Sequence, residues 1–274
     1  MVDKLVSADW VAQHKDDANV RLIEVDVDTE AYNESHIEGA LPWNWTSQLQ
    51  DAQRRDIVTQ EGLEELLSGS GISNDTHVVL YGDNNNWFAA YALWLLELYG
   101  HDNVSLMDGG RVKWLADSRP TTAARPDATR TTYKAKPADM SLRARRDDII
   151  EVARNGGRQL VDVRSPAEFS GEIIAPPGMS ETAQRAGHIP GAKSIPWARA
   201  VNEDGTFKSP DDLRKLYGDA GVKDGEDTIA YCRIGERSSH TWFVLKHILG
   251  FSDVKNYDGS WTEYGSMIDV PIER

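Results

Sequence analysis

The chain repeats itself, and the repeat sets its architecture. The run Val79-Leu80-Tyr81-Gly82 leads into a helical stretch closing at Gly100, and Ile229-Ala230-Tyr231-Cys232 leads into one closing at Gly250. Tyr81 and Tyr231, Val104 and Val254, and Asp108-Gly109 and Asp258-Gly259 all pair at a separation of 150 positions. Upstream, His36-Ile37-Glu38-Gly39-Ala40 pairs with His188-Ile189-Pro190-Gly191-Ala192, and Trp45 with Trp197, at a separation of 152. Further upstream, Leu22-Ile23-Glu24-Val25 pairs with Leu160-Val161-Asp162-Val163 at 138. Three matches in the same order establish a tandem duplication. The period is far longer than that of a solenoid, so each copy is a domain. A length of 274 residues suits two domains, each with its own core.

The separations also locate an insertion. Between Val163 and His188 the second copy is longer by the difference between 152 and 138, 14 residues. That stretch, Gly171 to Gly187, is rich in Pro and Gly and reads as a loop. The join contains Pro120, Pro126 and Pro137 among Thr, Ala and Arg, and reads as an extended linker over the surface. The expected division is a first domain over 1–122, a linker over 123–140 and a second domain over 141–274.

Within each copy short β-rich runs alternate with helical ones. Leu22–Val27, Val78–Tyr81, Val104–Met107, Leu160–Val163, Thr228–Tyr231 and Val254–Tyr257 are expected strands, and Trp87–Tyr99 and Ser238–Leu249 expected helices. The pattern predicts an α/β fold, two domains each built on a mostly parallel sheet flanked by helices.

Composition excludes several function classes. A formal net charge of −14 repels nucleic acid and anionic lipid, so neither is an expected partner. No apolar stretch is long enough to span a membrane, and Met1-Val-Asp-Lys-Leu-Val-Ser does not resemble a secretion signal; a cytoplasmic location is expected. The charge also requires any anionic substrate to meet a local positive site. The chain has one cysteine, Cys232, which excludes an internal disulfide and multi-cysteine metal sites.

The two copies differ at this cysteine. After Tyr231 comes Cys232-Arg233-Ile234-Gly235-Glu236-Arg237-Ser238, where the first copy has Gly82 in place of the thiol. Cys232 therefore stands at the carboxyl end of a strand, in the loop that opens a helix, where open parallel sheets bind ligands. Free N–H groups at a helix start favour an anion. Gly235 lets the loop bend, Arg233 and Arg237 add positive charge, and Ser238 is the expected N-cap. These features predict a Cys232 pKa below that of a free thiol and a thiolate nucleophile. Glu236 works against this, and pairing with an arginine is the one role the sequence offers it.

Cys-x-x-Gly-x-Arg-Ser after a strand resembles the active loop of the rhodanese family. The tandem duplication, Asp162-Val163-Arg164, Gly187-His188-Ile189-Pro190-Gly191-Ala192 and Tyr257-Asp258-Gly259-Ser260-Trp261 extend the resemblance over nearly the whole chain, which is most similar to the two-domain thiosulfate sulfurtransferases. The resemblance implies a catalytic second domain and a first domain that has lost the nucleophile. It implies that Cys232 attacks the outer sulfur of thiosulfate, that sulfite leaves, and that a persulfide remains for cyanide or a thiol to remove. Backbone N–H groups from Arg233 through Ile234, Gly235, Glu236 and Arg237 to Ser238 would cradle the outer sulfur. No metal or organic cofactor is implied. Some thiosulfate enzymes carry a lysine two residues after the cysteine and a basic residue four after the Asp-x-Arg arginine; Ile234 and Glu168 stand here instead. Donor recognition then rests on Arg233, Arg237 and Arg185 of the inserted loop. Asp162 and Arg164 are expected to form a buried pair bracing the active loop. With no second cysteine, the acceptor must come from outside the chain.

Other readings share the nucleophile. The related 3-mercaptopyruvate sulfurtransferases favour a small neutral loop, against which Arg233 argues. Cysteine-dependent phosphatases use Cys-x₅-Arg, whereas Cys232 to Arg237 is Cys-x₄-Arg. A non-catalytic sulfide-binding or docking module is the expected role of the first copy alone. His188 is read as fixing the turn before Pro190, His240 as packing or surface, Asp83 to Asn86 as a polar helix-start loop, and Trp45 and Trp197 as equivalent structural residues.

Overall fold

The computed structural model describes residues 2–28, 30–51, 53, 55–178 and 182–274. It divides into two compact units, Met1–Asp139 with Glu203–Thr206, and Met140–Asn202 with Phe207–Arg274. The stretch expected as a linker, 123–140, falls almost wholly in the first unit. It has little regular structure and is tied down by backbone bonds, Thr131 N–H to the Ser68 carbonyl at 3.0 Å and Lys136 N–H to the Tyr99 carbonyl at 2.9 Å. Met179, Ser180 and Glu181 of the inserted loop lie outside the described residues.

In the first unit the strands are β1 (Leu5–Val6), β2 (Val20–Asp26), β3 (Leu41–Asn44), β4 (Gln50–Asp51), β5 (Asp56–Ile57), β6 (His77–Tyr81) and β7 (Val104–Met107). Five of them form a parallel sheet in the order β1-β7-β6-β2-β3, and β4 pairs with β5 antiparallel. In the second unit β8 (Gln159–Asp162), β9 (Lys193–Ser194), β10 (Thr228–Tyr231) and β11 (Val254–Tyr257) form a parallel sheet in the order β11-β10-β8-β9. The α/β architecture read from the sequence is the one observed.

Parallel neighbours require crossovers, and helices covering both faces leave the central strands β6 and β10 buried at every residue. That is why these strands read as continuous apolar runs. The first core gathers Leu22, Tyr32, Ile37, Val79, Tyr81 and Trp114, and the second Ile149, Leu160, Ile189, Ile229, Tyr231 and Trp261. The helix Trp87–Leu98 is apolar on all sides and buried along nearly its whole length. All six expected strands are present, three with the expected ends and three with ends moved by one or two residues. The strands not expected are very short or carry Pro42, which sits at the sheet edge on β3, where a missing donor is tolerated. No helix among the described residues is long and apolar enough to cross a membrane.

The register brings Tyr231, Tyr257 and Asp162 level at one end of the second sheet. The segments leaving that end build the site.

Candidate active site

Cys232 follows β10 directly and is fully buried. Its N–H donates to Ser260 Oγ at 3.0 Å, and Ser260 Oγ donates in turn to the Tyr257 carbonyl at 2.6 Å. The helix Ser260–Tyr264 points its first free amides at the loop: Trp261 N–H donates to the Cys232 carbonyl and Thr262 N–H to the Arg233 carbonyl, both at 3.0 Å. On the other side of the loop, Gly235 N–H donates to Cys232 Sγ at 3.1 Å. Gly235 has φ +102°, and a Cβ there would lie 2.8 Å from Asp258 Cα, so only glycine closes this turn.

The helix that follows spans Glu236–Phe243, and its N-cap is Gly235. The expected cap, Ser238, instead lies inside the first turn. The left-handed Gly235 ends the loop three residues earlier, and Ser238 Oγ is drawn into a buried network, donating to Asn256 Oδ1 at 2.6 Å. Asn256 Nδ2 donates to Ser239 Oγ at 2.8 Å and to the Gly235 carbonyl at 3.3 Å, which ties β11 to the floor of the loop. The helix continues into a π-turn over Val244–Ile248.

Arg237 is buried and grips Glu168 with both terminal nitrogens, each at 3.0 Å. Glu168 also accepts from Ser165 N–H at 3.0 Å and Ser165 Oγ at 2.9 Å. Burial works against its charge, but Arg237 and Ser165 outweigh burial and hold the carboxyl below its ordinary range. The acid that replaces the family's basic residue at position 168 is thus the anchor of Arg237. Arg233 is also buried, its Nη2 at 3.8 Å from Glu236 Oε1. Ile234 is buried beside it.

Asp162 and Arg164 form the expected pair: both are fully buried, with Arg164 Nη2 2.6 Å from Asp162 Oδ2. The guanidinium also donates to the Gly187 carbonyl at 2.7 Å and lies 4.5 Å from the Trp261 ring centroid. His188 stacks on Phe169 with centroids 3.6 Å apart, and its Nδ1 bonds to the Phe169 carbonyl at 2.8 Å, as a turn-fixing residue would. His240 is buried between Trp197 and Phe207, and burial pushes its pKa down to about 3, so it is neutral packing.

Besides the cap at Ser238, two expectations need correction. Arg185, expected to meet the donor, is committed to the carbonyls of Gly265, Met267 and Val270, and its own carbonyl accepts from Trp261 Nε1 at 3.0 Å. It fastens the C-terminal segment. The second correction concerns ionisation. The Cys232 thiol is pushed up, not down: burial disfavours the thiolate, and the Glu236 carboxylate adds to this. Arg237 and the Ser238 amide and hydroxyl offset them only in part. Cys232 Sγ donates to Glu236 Oε2 at 3.2 Å, the contact through which this carboxylate disfavours the thiolate. The i to i+4 spacing of Cys232 and Glu236 across the helix start carried this signal in the sequence; the direction in which Glu236 points did not. Among the described residues no group of three or more His, Cys, Asp or Glu is arranged to hold a metal ion.

Residues 7–117 and 146–267 each match the rhodanese-like domain. The chain belongs to the rhodanese family of sulfurtransferases. This rhodanese is 58% identical over 99% of its length to a Haloferax volcanii protein provisionally named a thiosulfate sulfurtransferase, covering 96% of that protein. It is 51% identical over 98% of its length, and 96% of the relative's, to a Thermus thermophilus protein named sulfur carrier protein TtuD. Among solved structures it resembles the 3-mercaptopyruvate sulfurtransferase SseA of Escherichia coli in fold, with a TM-score of 0.78, 24% identity, and coverage of 95% of this chain and 99% of that one.

Proposed function

We propose that this protein is a thiosulfate sulfurtransferase that carries the transferred atom as a persulfide on Cys232. The observation that carries the reading is the Gly235 N–H aimed at Cys232 Sγ, 3.1 Å away, in a loop at the carboxyl end of a central parallel strand. Cys232 Sγ attacks the outer sulfur of thiosulfate, a new sulfur–sulfur bond forms, and the old one breaks with its electron pair leaving on sulfite. An external acceptor, cyanide or a thiol, then takes the outer sulfur and returns the bonding pair to Sγ. The loop from Arg233 to Ser238 supplies the amides that hold the outer sulfur, and the buried Arg233 and Arg237 supply positive charge that partly offsets the Glu236 carboxylate beside it. The Asp162–Arg164 pair braces the loop. We place the activity in the cytoplasm, where a lone thiol stays reduced. Relatives provisionally named thiosulfate sulfurtransferases, 54–58% identical along nearly the entire chain, support the donor.

Intact-mass measurement tests the proposal. After incubation with thiosulfate the chain should gain one sulfur atom, lose it on adding cyanide, and show neither change in Cys232→Ser, which should keep its fold. Loading from 3-mercaptopyruvate but not from thiosulfate would overturn the donor, and loading of Cys232→Ser would overturn the nucleophile.

A further inference from the structure

We propose that Glu236 is the proton acceptor of the reaction: it takes the Cys232 thiol proton as sulfur is loaded and returns it when sulfur is delivered. The proposal rests on the persulfide reading above.

The geometry is direct. The thiol donates to Glu236 Oε2 at 3.2 Å, and both side chains are buried. A fixed carboxylate beside a sulfur that must become anionic opposes catalysis unless it removes the proton responsible for the difficulty. The other groups around the thiol do not offer a base. Arg237 lies on the same helix and is engaged by Glu168 of the helix Pro166–Ser170, while its Nε stays 3.6 Å from Glu236 Oε1. Arg233 in the loop faces the same oxygen at 3.8 Å. Asp258, after β11, is held by Arg143 Nε and Nη2 at 2.8 and 2.9 Å. Ser260 Oγ is 3.9 Å from Sγ and already donates to the Tyr257 carbonyl. Burial lifts the thiol above its ordinary value, so a base is needed near neutrality.

The first copy supplies a comparison inside the same chain. At the 150-position separation, Glu236 corresponds to Asn86. Asn86 Oδ1 accepts from Gly82 N–H at 3.0 Å and Nδ2 donates to the Met107 carbonyl at 2.7 Å. There the side chain is a neutral brace reaching back to the residue that replaces cysteine. The carboxylate occurs in the copy that has a thiol to deprotonate.

Atoms and charges balance without an oxidant or reductant. On loading, the Sγ–S bond forms, the sulfur–sulfite bond breaks with its pair on sulfite, and the thiol proton moves to Glu236 Oε2. On delivery to cyanide, the Sγ–S pair returns to Sγ, thiocyanate leaves, and the Glu236 carboxyl gives the proton back.

The experiment measures two rates against pH, single-turnover loading from thiosulfate and alkylation of Cys232 by iodoacetamide, in the wild type and in Glu236→Gln. With an internal proton acceptor the pair loses no net proton before it reacts, so both wild-type profiles should be flat from about pH 6 to 8. In Glu236→Gln the proton must go to solvent, so both rates should rise tenfold per pH unit up to the thiol midpoint, and at about pH 6 should lie at least tenfold below wild type. Profiles that run parallel, or faster reaction of Glu236→Gln at low pH, overturn the proposal. Should that variant not fold, the wild-type profile alone decides, since a tenfold rise per unit there also overturns it. Alkylation needs no sulfur donor, so a flat alkylation profile in a protein that never loads from thiosulfate would sink the donor assignment and leave the Glu236 role standing.

Discussion

Arg237 and Glu168 hold the active loop from behind, and their pairing shows how one buried side chain changes the meaning of another. Removing the guanidinium strands a buried carboxylate, so Arg237→Ala should lose about 3–5 kcal/mol of stability at neutral pH, measured by denaturant unfolding. The pH dependence has a defined sign. The folded pKa of Glu168 is depressed. Its contribution is therefore present above the unfolded carboxylate value, about 4.3, and is lost as pH falls through the lower folded value. The gap between wild type and Arg237→Ala should be widest at neutral pH and close on acidification, starting at the raised value of the stranded carboxyl and ending at the lowered wild-type one. Glu168 was visible in the sequence only as a departure from the expected basic residue; its partner 69 positions away was not. The same holds for the thiol. Two arginines near a helix start pointed to an anion, but burial and the aim of Glu236, which reverse the shift, are properties of the folded loop.

At the scale of elements, the sequence was most legible where strand, loop and helix follow one another along the chain. The duplicated strands, the loop after β10 and the glycine that stands in the first copy where the second has its cysteine could all be read because each depends on local pattern. The early start of the helix Glu236–Phe243 could not, because it follows from Gly235 adopting φ +102° against Asp258. The π-turn at Val244–Ile248 also had no signal in periodicity. The copies solve one packing problem with rearranged parts. In the second, Asp162 takes its arginine from its own strand end, Arg164; in the first, Glu24 takes Arg111 at 3.0 Å, from the position matching Trp261. The first copy is closed to the missing nucleophile. A Cβ at Gly82 would collide with the Val25 carbonyl and lie 3.0 Å from Asp26 Oδ1. Gly82→Cys in a Cys232→Ser background should therefore remain free of added sulfur by mass spectrometry and should melt below Cys232→Ser alone, with overpacking costing about 1–3 kcal/mol.

Over the whole molecule, charge sets the terms on which a donor arrives. A net charge of −14 repels a dianion at distance, while the positive groups of the loop act only at close range. Screening weakens the first effect more than the second, because buried groups are shielded less by salt. Single-turnover loading from thiosulfate should therefore speed up as ionic strength rises from about 10 to 150 mM, where the screening length falls from roughly 30 to 8 Å. Alkylation by neutral iodoacetamide should not change. Slower loading with added salt would show that attraction, not repulsion, governs approach.

Beyond Ser260, whose Oγ lies 3.9 Å from Cys232 Sγ, the helix Ser260–Tyr264 acts on the site through its backbone, its amides fastening the carbonyls of Cys232 and Arg233. A peptide plane anchored at its oxygen has its nitrogen side aimed as well. The inner lining of the sulfur berth is thus steered from its outer rim, and substitutions in this short helix can retune which donors are accepted while every side chain facing the sulfur stays the same.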